Sequence, residues 1–126
     1  MKPLPEQYEL ELDGIQHVSF KNKTIKDAFE EFHTLNPHIY RNLRFLALMA
    51  VKSGKKKLGM RLLWERLRWE YYVTTITDGD TYKLNDHFVP YYARMLMEKE
   101  PRLAGVFETR EMKNEDGKKR IVVQVR

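Results

Sequence analysis

The sequence predicts an α+β domain, mainly helical and winged helix-turn-helix-like, with β-hairpins. Three observations carry that prediction. Apolar residues recur at helical spacing through residues 24–72, and the lysine cluster Lys52, Lys55, Lys56 and Lys57 falls between the second and third helical segments. Directly after the third segment, "VTTITDGDTYKL" changes to β-rich residues around an Asp-Gly turn. A length of 126 residues fits one domain, because two would leave each short of a core. Within 1–126 the expected parts are an N-terminal extension with a hairpin (1–23), a helical core carrying a hairpin at 73–84 (24–105), and a C-terminal β-hairpin (106–126).

In the N-terminal part, Tyr8, Leu10 and Leu12 alternate with polar residues before Asp13-Gly14, the pattern of a small hairpin. Thr24 then offers a capping hydroxyl, and Ile25, Ala28, Phe29 and Phe32 share one face of a first helix, Ile25 to Thr34. Asn36-Pro37 opens a second, because asparagine can cap free N–H groups and proline loses nothing at a first-turn position. Tyr40, Leu43, Ala47, Ala50 and Val51 continue it to Ser53, and Gly54 is suited to the left-handed conformation that ends a helix. Met60, Leu63, Leu67 and Tyr71 mark a third helix, about Leu58 to Tyr72. A fourth is expected from Pro90, since that ring would clash inside a helix begun at Asn85; it carries Tyr92, Met95, Leu96 and Lys99 and stops at Pro101, with one short turn through Leu103. Last, "VFETREM" and "RIVVQVR" flank "KNEDGKK" as a terminal hairpin.

Composition narrows the function classes. Without cysteine there is no disulfide, thiolate metal site or thiol nucleophile, which fits a reducing cytoplasm. The longest apolar run, Phe45 to Val51, is too short to cross a bilayer, and the acidic, proline-containing start lacks a signal peptide's apolar centre. The net charge of +5 is unevenly spread: residues 1–36 carry −3 and residues 37–72 carry +7. A block of that sign suits a polyanionic partner.

In a winged helix the third helix enters the major groove, the second braces it and the hairpin touches the flanking backbone. On that geometry Lys52, Lys55, Lys56 and Lys57 neutralise phosphates, and Arg61, Glu65 and Arg68, opposite the apolar stripe, reach base edges. The competing structural explanation is an ion-pair ladder, because Glu65 lies four residues from Arg61 and three from Arg68. Lys118, Lys119 and Arg120 in the terminal loop form a second candidate phosphate contact beside the simpler assignment to an exposed hairpin. Trp64 and Trp69, near Leu63 and Leu67, are read as core rather than as base-stacking platforms, and of the pairs Tyr71-Tyr72 and Tyr91-Tyr92 only one member each need be buried.

Enzyme signatures are thin. Glu30 and His33 form one E-x-x-H, and His17, His33, His38 and His87 do not make a zinc pattern, so no catalytic residue, metal ligand or cofactor is assigned. A minor alternative is a metal-dependent nuclease using Asp78 or Asp80 with Glu111 and Lys113. Regulators of winged-helix architecture often pair across two-fold axes, which makes the fourth helix, with Tyr92, Met95 and Leu96, a candidate homodimer surface, while burial in the monomer explains the same residues equally well.

The blocks "FEEFHTLNPHIYRNLRFLA", "LLWERLRWEYY", "YKLNDHFVPYYARMLMEKEP" and "LAGVFETRE", spanning Phe29 to Glu111, resemble a family of small uncharacterised phage- and prophage-encoded proteins. The resemblance implies a viral gene acting in the bacterial cytoplasm, and transfers no catalytic residue. Two functions follow as expectations. The first is regulatory binding of double-stranded DNA, or of RNA. The second is an anti-defence module that inhibits a host effector complex, conceivably a ribonucleoprotein.

Overall fold

Among the described residues, four α-helices wrap one apolar core. A computed structural model describes residues 10–74, 83–113 and 119–123, with side chains as far as Glu108. The helices are α1 (Ile25–Leu35), α2 (Pro37–Lys52), α3 (Met60–Thr74) and α4 (Val89–Lys99), with single 3-10 turns at Asp86–Phe88 and Pro101–Leu103. Three of them begin for a local reason. Thr24 accepts from the Asp27 N–H, Pro37 opens α2, Asn85 accepts from the His87 N–H, and Pro90 sits in the first turn of α4. The short turn expected after Pro101 is present.

The core is built from the predicted stripes. Ala28, Phe29 and Phe32 of α1 meet Ile39, Leu43 and Ala47 of α2, Met60, Leu63, Trp64 and Leu67 of α3, and Val89, Tyr92 and Leu96 of α4, all buried. Its aromatic centre joins three helices and the 3-10 turn at Asp86–Phe88: Phe32 and Phe88 lie 4.7 Å apart, Phe29 and Tyr92 4.8 Å, and Trp64 and Tyr92 5.6 Å between ring centroids.

The α+β winged-helix expectation is overturned, because the described residues are mainly helical. Among them, extended pairing is confined to an isolated bridge between Leu58 and Phe107 and to a backbone ladder of Thr109–Lys113 with Lys119–Val123, past the last described side chain. Of the hairpin expected at 73–84, Val73 and Thr74 extend α3, while residues 75–82 lie outside the described residues. The Thr74 hydroxyl donates to the Glu70 carbonyl at 2.8 Å, so a residue favoured in strands is accommodated by the helix it prolongs. With no described strand pair flanking α3, no wing supports it as a recognition helix.

From residue 10 onward an irregular strap stands where the N-terminal hairpin was expected, and residues 1–9 lie outside the described residues. Asn42, fully buried on α2, accepts from the Glu11 N–H and donates to the Glu11 carbonyl, both at 2.8 Å. Asn36, also fully buried, treats Gln16 the same way at 2.7 and 2.8 Å. Each side-chain amide thus gives the strap the donor and acceptor that a neighbouring strand would have supplied. This explains why Asn36 does not cap α2 as its position suggested: its amide is engaged by Gln16 and by the Phe32 carbonyl. Arg41 closes the strap with two bonds to the Glu11 carboxylate, 2.7 and 2.9 Å.

At the other end Glu100, 7% exposed, receives Arg44 from α2 at 2.9 Å and Arg102 at 2.8 Å. The Arg102 hydrogen bonds, with Arg44 adding to them against the opposing effect of burial, hold this carboxyl at about 2, below its ordinary 4.5. A folded-state value below the unfolded one stabilises the fold above about pH 4.5, and that contribution disappears as the pH falls towards 2. Glu100→Gln is expected to reduce stability at pH 7 and to flatten the acid limb of the stability profile between those pH values. Urea midpoints measured from pH 2 to 7 check this, and an unchanged acid limb would reject the assignment.

Candidate nucleic-acid interface

The lysine cluster stands on a defined turn. At the end of α2 the Gly54 N–H donates to the Val51 carbonyl at 3.0 Å and the Lys55 N–H to the Ala50 carbonyl at 3.2 Å, the paired bonds of a Schellman motif. Gly54 provides the positive φ, 104°, that this closure requires. The chain leaving the turn is then fastened: Leu58 N–H donates to the Val106 carbonyl at 3.0 Å, and the Lys57 ammonium to the Gly105 carbonyl at 3.0 Å. Lys52, Lys55, Lys56 and Lys57 are all exposed. Among the described residues no hydrogen bond or ion pair engages the side chains of Lys52, Lys55 or Lys56, and Lys57 has no carboxylate partner.

Arginines of the same basic block are engaged by acids. Arg41 meets Glu11, Arg44 meets Glu100, and Arg66 meets Glu70 at 2.9 Å. Arg61 bonds Asp86 at 3.2 Å and lies 3.7 Å from Glu65, while Arg68 binds Glu65, Asp86 and, at 2.7 Å, the Leu84 carbonyl. Burial opposes charge on both Arg68 and Asp86, yet their mutual hydrogen bonds prevail, raising the arginine's pKa and lowering the aspartate's. The structure therefore brings Arg61, Glu65 and Arg68 together as a ladder closed by Asp86. The predicted base-reading trio is thus paired within the molecule, Arg61 through Nη1 alone.

Other candidates are distributed differently. Lys118 lies outside the described residues, as do the side chains of Lys119 and Arg120, together with Asp78 and Asp80 and the side chains of Glu111 and Lys113. Trp64 is fully buried whereas Trp69 is 57% exposed, correcting the assignment of both to the core. Helical geometry accounts for the split: Trp69 is nine residues, two and a half turns, beyond the buried Met60, and so points the opposite way. Tyr71 and Tyr92 are buried and Tyr72 is exposed, one inward member from each tyrosine pair. Of the residues on α4 expected at a homodimer surface, Tyr92 and Leu96 are fully buried in the core and Met95 is partly buried.

No group of three metal-binding side chains occurs among the described residues, and no helix there is long and apolar enough to cross a membrane. His33 is packed between Phe29, Tyr40 and Tyr92, and burial, with Lys99 adding to it, lowers its pKa. An open groove of about 390 Å³ between α1 and α4 mixes Lys26, Glu30, Arg94 and Glu98 around Phe29 and Tyr91 without a nucleophile–base pair. Comparison with protein-family models, curated proteins and solved structures finds no match.

Proposed function

We propose that this is a non-enzymatic nucleic-acid-binding protein of phage type that grips the phosphate backbone of double-stranded DNA through its lysine turn, in a regulatory role. The observation that supports this reading is the separation of the two kinds of cation. The arginines of α2 and α3 face carboxylates, whereas Lys52, Lys55 and Lys56 project from a braced turn with none. Ammonium groups held this way bind phosphates as point charges and impose little sequence preference. The engagement of Arg61 and Arg68 by Asp86 argues for backbone contact in place of base reading.

Three phosphate contacts correspond to a slope of about −3 in a plot of log affinity against log salt concentration. Replacing Lys52, Lys55 and Lys56 together by alanine is expected to abolish most binding and flatten that slope. Arg61→Ala should leave the slope unchanged. Duplex titrations at several salt concentrations read both effects. No binding at low salt, or a slope indifferent to the triple substitution, would sink the proposal.

A further inference from the structure

We propose that Lys57 and Gly105 are positioning residues that hold the lysine turn in the shape a phosphate backbone meets, a role that rests on the nucleic-acid reading above. By sequence Lys57 belongs to the same cluster as Lys52, Lys55 and Lys56, but its ammonium donates to the Gly105 carbonyl at 3.0 Å. The next residue is fastened to the same loop. Leu58 N–H donates to the Val106 carbonyl at 3.0 Å, and Leu58 pairs with Phe107 in an isolated parallel bridge. Two successive carbonyls of one loop thus receive two successive residues of the turn.

The loop can brace the turn because its own shape is fixed. Ala104, at φ −58° and ψ 126°, and Gly105, at φ 73°, are the central residues of a type II turn, closed by a bond of 3.1 Å from the Val106 N–H to the Leu103 carbonyl. Its second central position needs a positive φ, which glycine adopts without a steric penalty. Leu103, Val106 and Phe107 are buried, so the loop is anchored in the core. On the other side of the cluster the Lys55 N–H is tied to the Ala50 carbonyl at 3.2 Å. Lys56 and Lys57 therefore span two fixed backbone points, and the exposed Lys56 stands on a short, tethered segment. A turn ordered beforehand loses less freedom on meeting phosphates than a loose one, so the brace contributes to affinity without itself touching the ligand.

Gly105→Ala tests the brace without touching a charge. No described atom lies within 4 Å of the added Cβ, so the strain is confined to the backbone, and far-ultraviolet circular dichroism should not change. Amide hydrogen exchange at Leu58, measured on the full chain without nucleic acid, should quicken by about fivefold or more. Affinity for a double-stranded oligonucleotide should fall about three- to tenfold, while the slope against log salt stays near −3 because every ammonium remains. Lys57→Met keeps the stem and removes the donor, and should shift exchange and affinity in the same directions with the same slope; Lys57→Arg, which supplies a donor again, should restore both. Unchanged affinity in Gly105→Ala, or unchanged exchange at Leu58, overturns the proposal. A slope reduced by about one in Lys57→Met overturns it too, by making Lys57 a phosphate contact. Absence of duplex binding by the wild-type chain at low salt overturns the nucleic-acid reading and with it the phosphate role of the turn, whereas quickened Leu58 exchange in both variants would still establish the brace.

Discussion

Trp64→Ala is expected to destabilise the fold by about 3–5 kcal/mol, the range for deleting a large aromatic side chain from a close-packed core. Trp64 is completely buried on α3 and packs against Tyr92 of α4, whose ring also meets Phe29 of α1. Removing the indole therefore opens a cavity where three helices converge, and backbones held by their own hydrogen bonds cannot collapse to fill it. Trp69→Ala, on the same helix but facing water, should change stability by less than about 0.5 kcal/mol. Urea unfolding followed by circular dichroism compares the two without relying on tryptophan emission. Equal losses would show that the inward and outward faces of α3 have been wrongly assigned.

The second large effect is expected at Asn42. Alanine there removes both bonds to the Glu11 backbone and strands a donor and an acceptor in a partly buried position, a loss of about 2–4 kcal/mol at one to two per group. Arg41 and the Tyr71 hydroxyl, 3.4 Å from the Glu11 carbonyl, still hold the strap loosely. Partial release rather than global unfolding should follow, so limited proteolysis near Lys21 and Lys23 should accelerate more than the urea midpoint falls. Arg41→Ala breaks an exposed pair and should cost less than about 1 kcal/mol. Should Asn42→Ala leave proteolysis unchanged, the strap would be held by something other than the two asparagine amides.

Helices were legible because their determinants lie within a few residues of one another. Thr24, Asn36-Pro37 and the stripe from Met60 to Tyr71 identified three of them, and Pro90 located the fourth to within one residue. Gly54 likewise announced the left-handed residue at the end of α2. What misled was alternation. Leu10 and Leu12 alternate as a strand would, yet the chain there is matched to asparagine side chains at separations of 20 and 31 residues, which no local pattern encodes. Val73 and Thr74 have strand-forming side chains but continue a helix already anchored by the buried Tyr71.

The candidate site divides along the same line. The ladder of Arg61, Glu65 and Arg68 could be read from spacings of three and four, but Asp86 could not, being 18 residues from Arg68 and 25 from Arg61. The outward position of Trp69 was available from helical geometry, since two and a half turns separate it from Met60. Grouping it with Trp64 by residue type concealed that.

By itself, the amino-acid sequence determined where the helices run, which stripes enter the core and that positive charge gathers in residues 37–72. Tertiary structure alone decided which of those charges remain available. Ion pairing depends on carboxylates brought close by folding: Glu11 reaches Arg41, Asp86 reaches Arg61 and Arg68, and Glu100 reaches Arg44 across 18 to 56 residues of chain. Periodicity is a property of neighbours along a helix, whereas neutralisation is a property of neighbours in space. Among the described residues Lys52, Lys55 and Lys56 face no carboxylate, because the fold directs those acids to arginines.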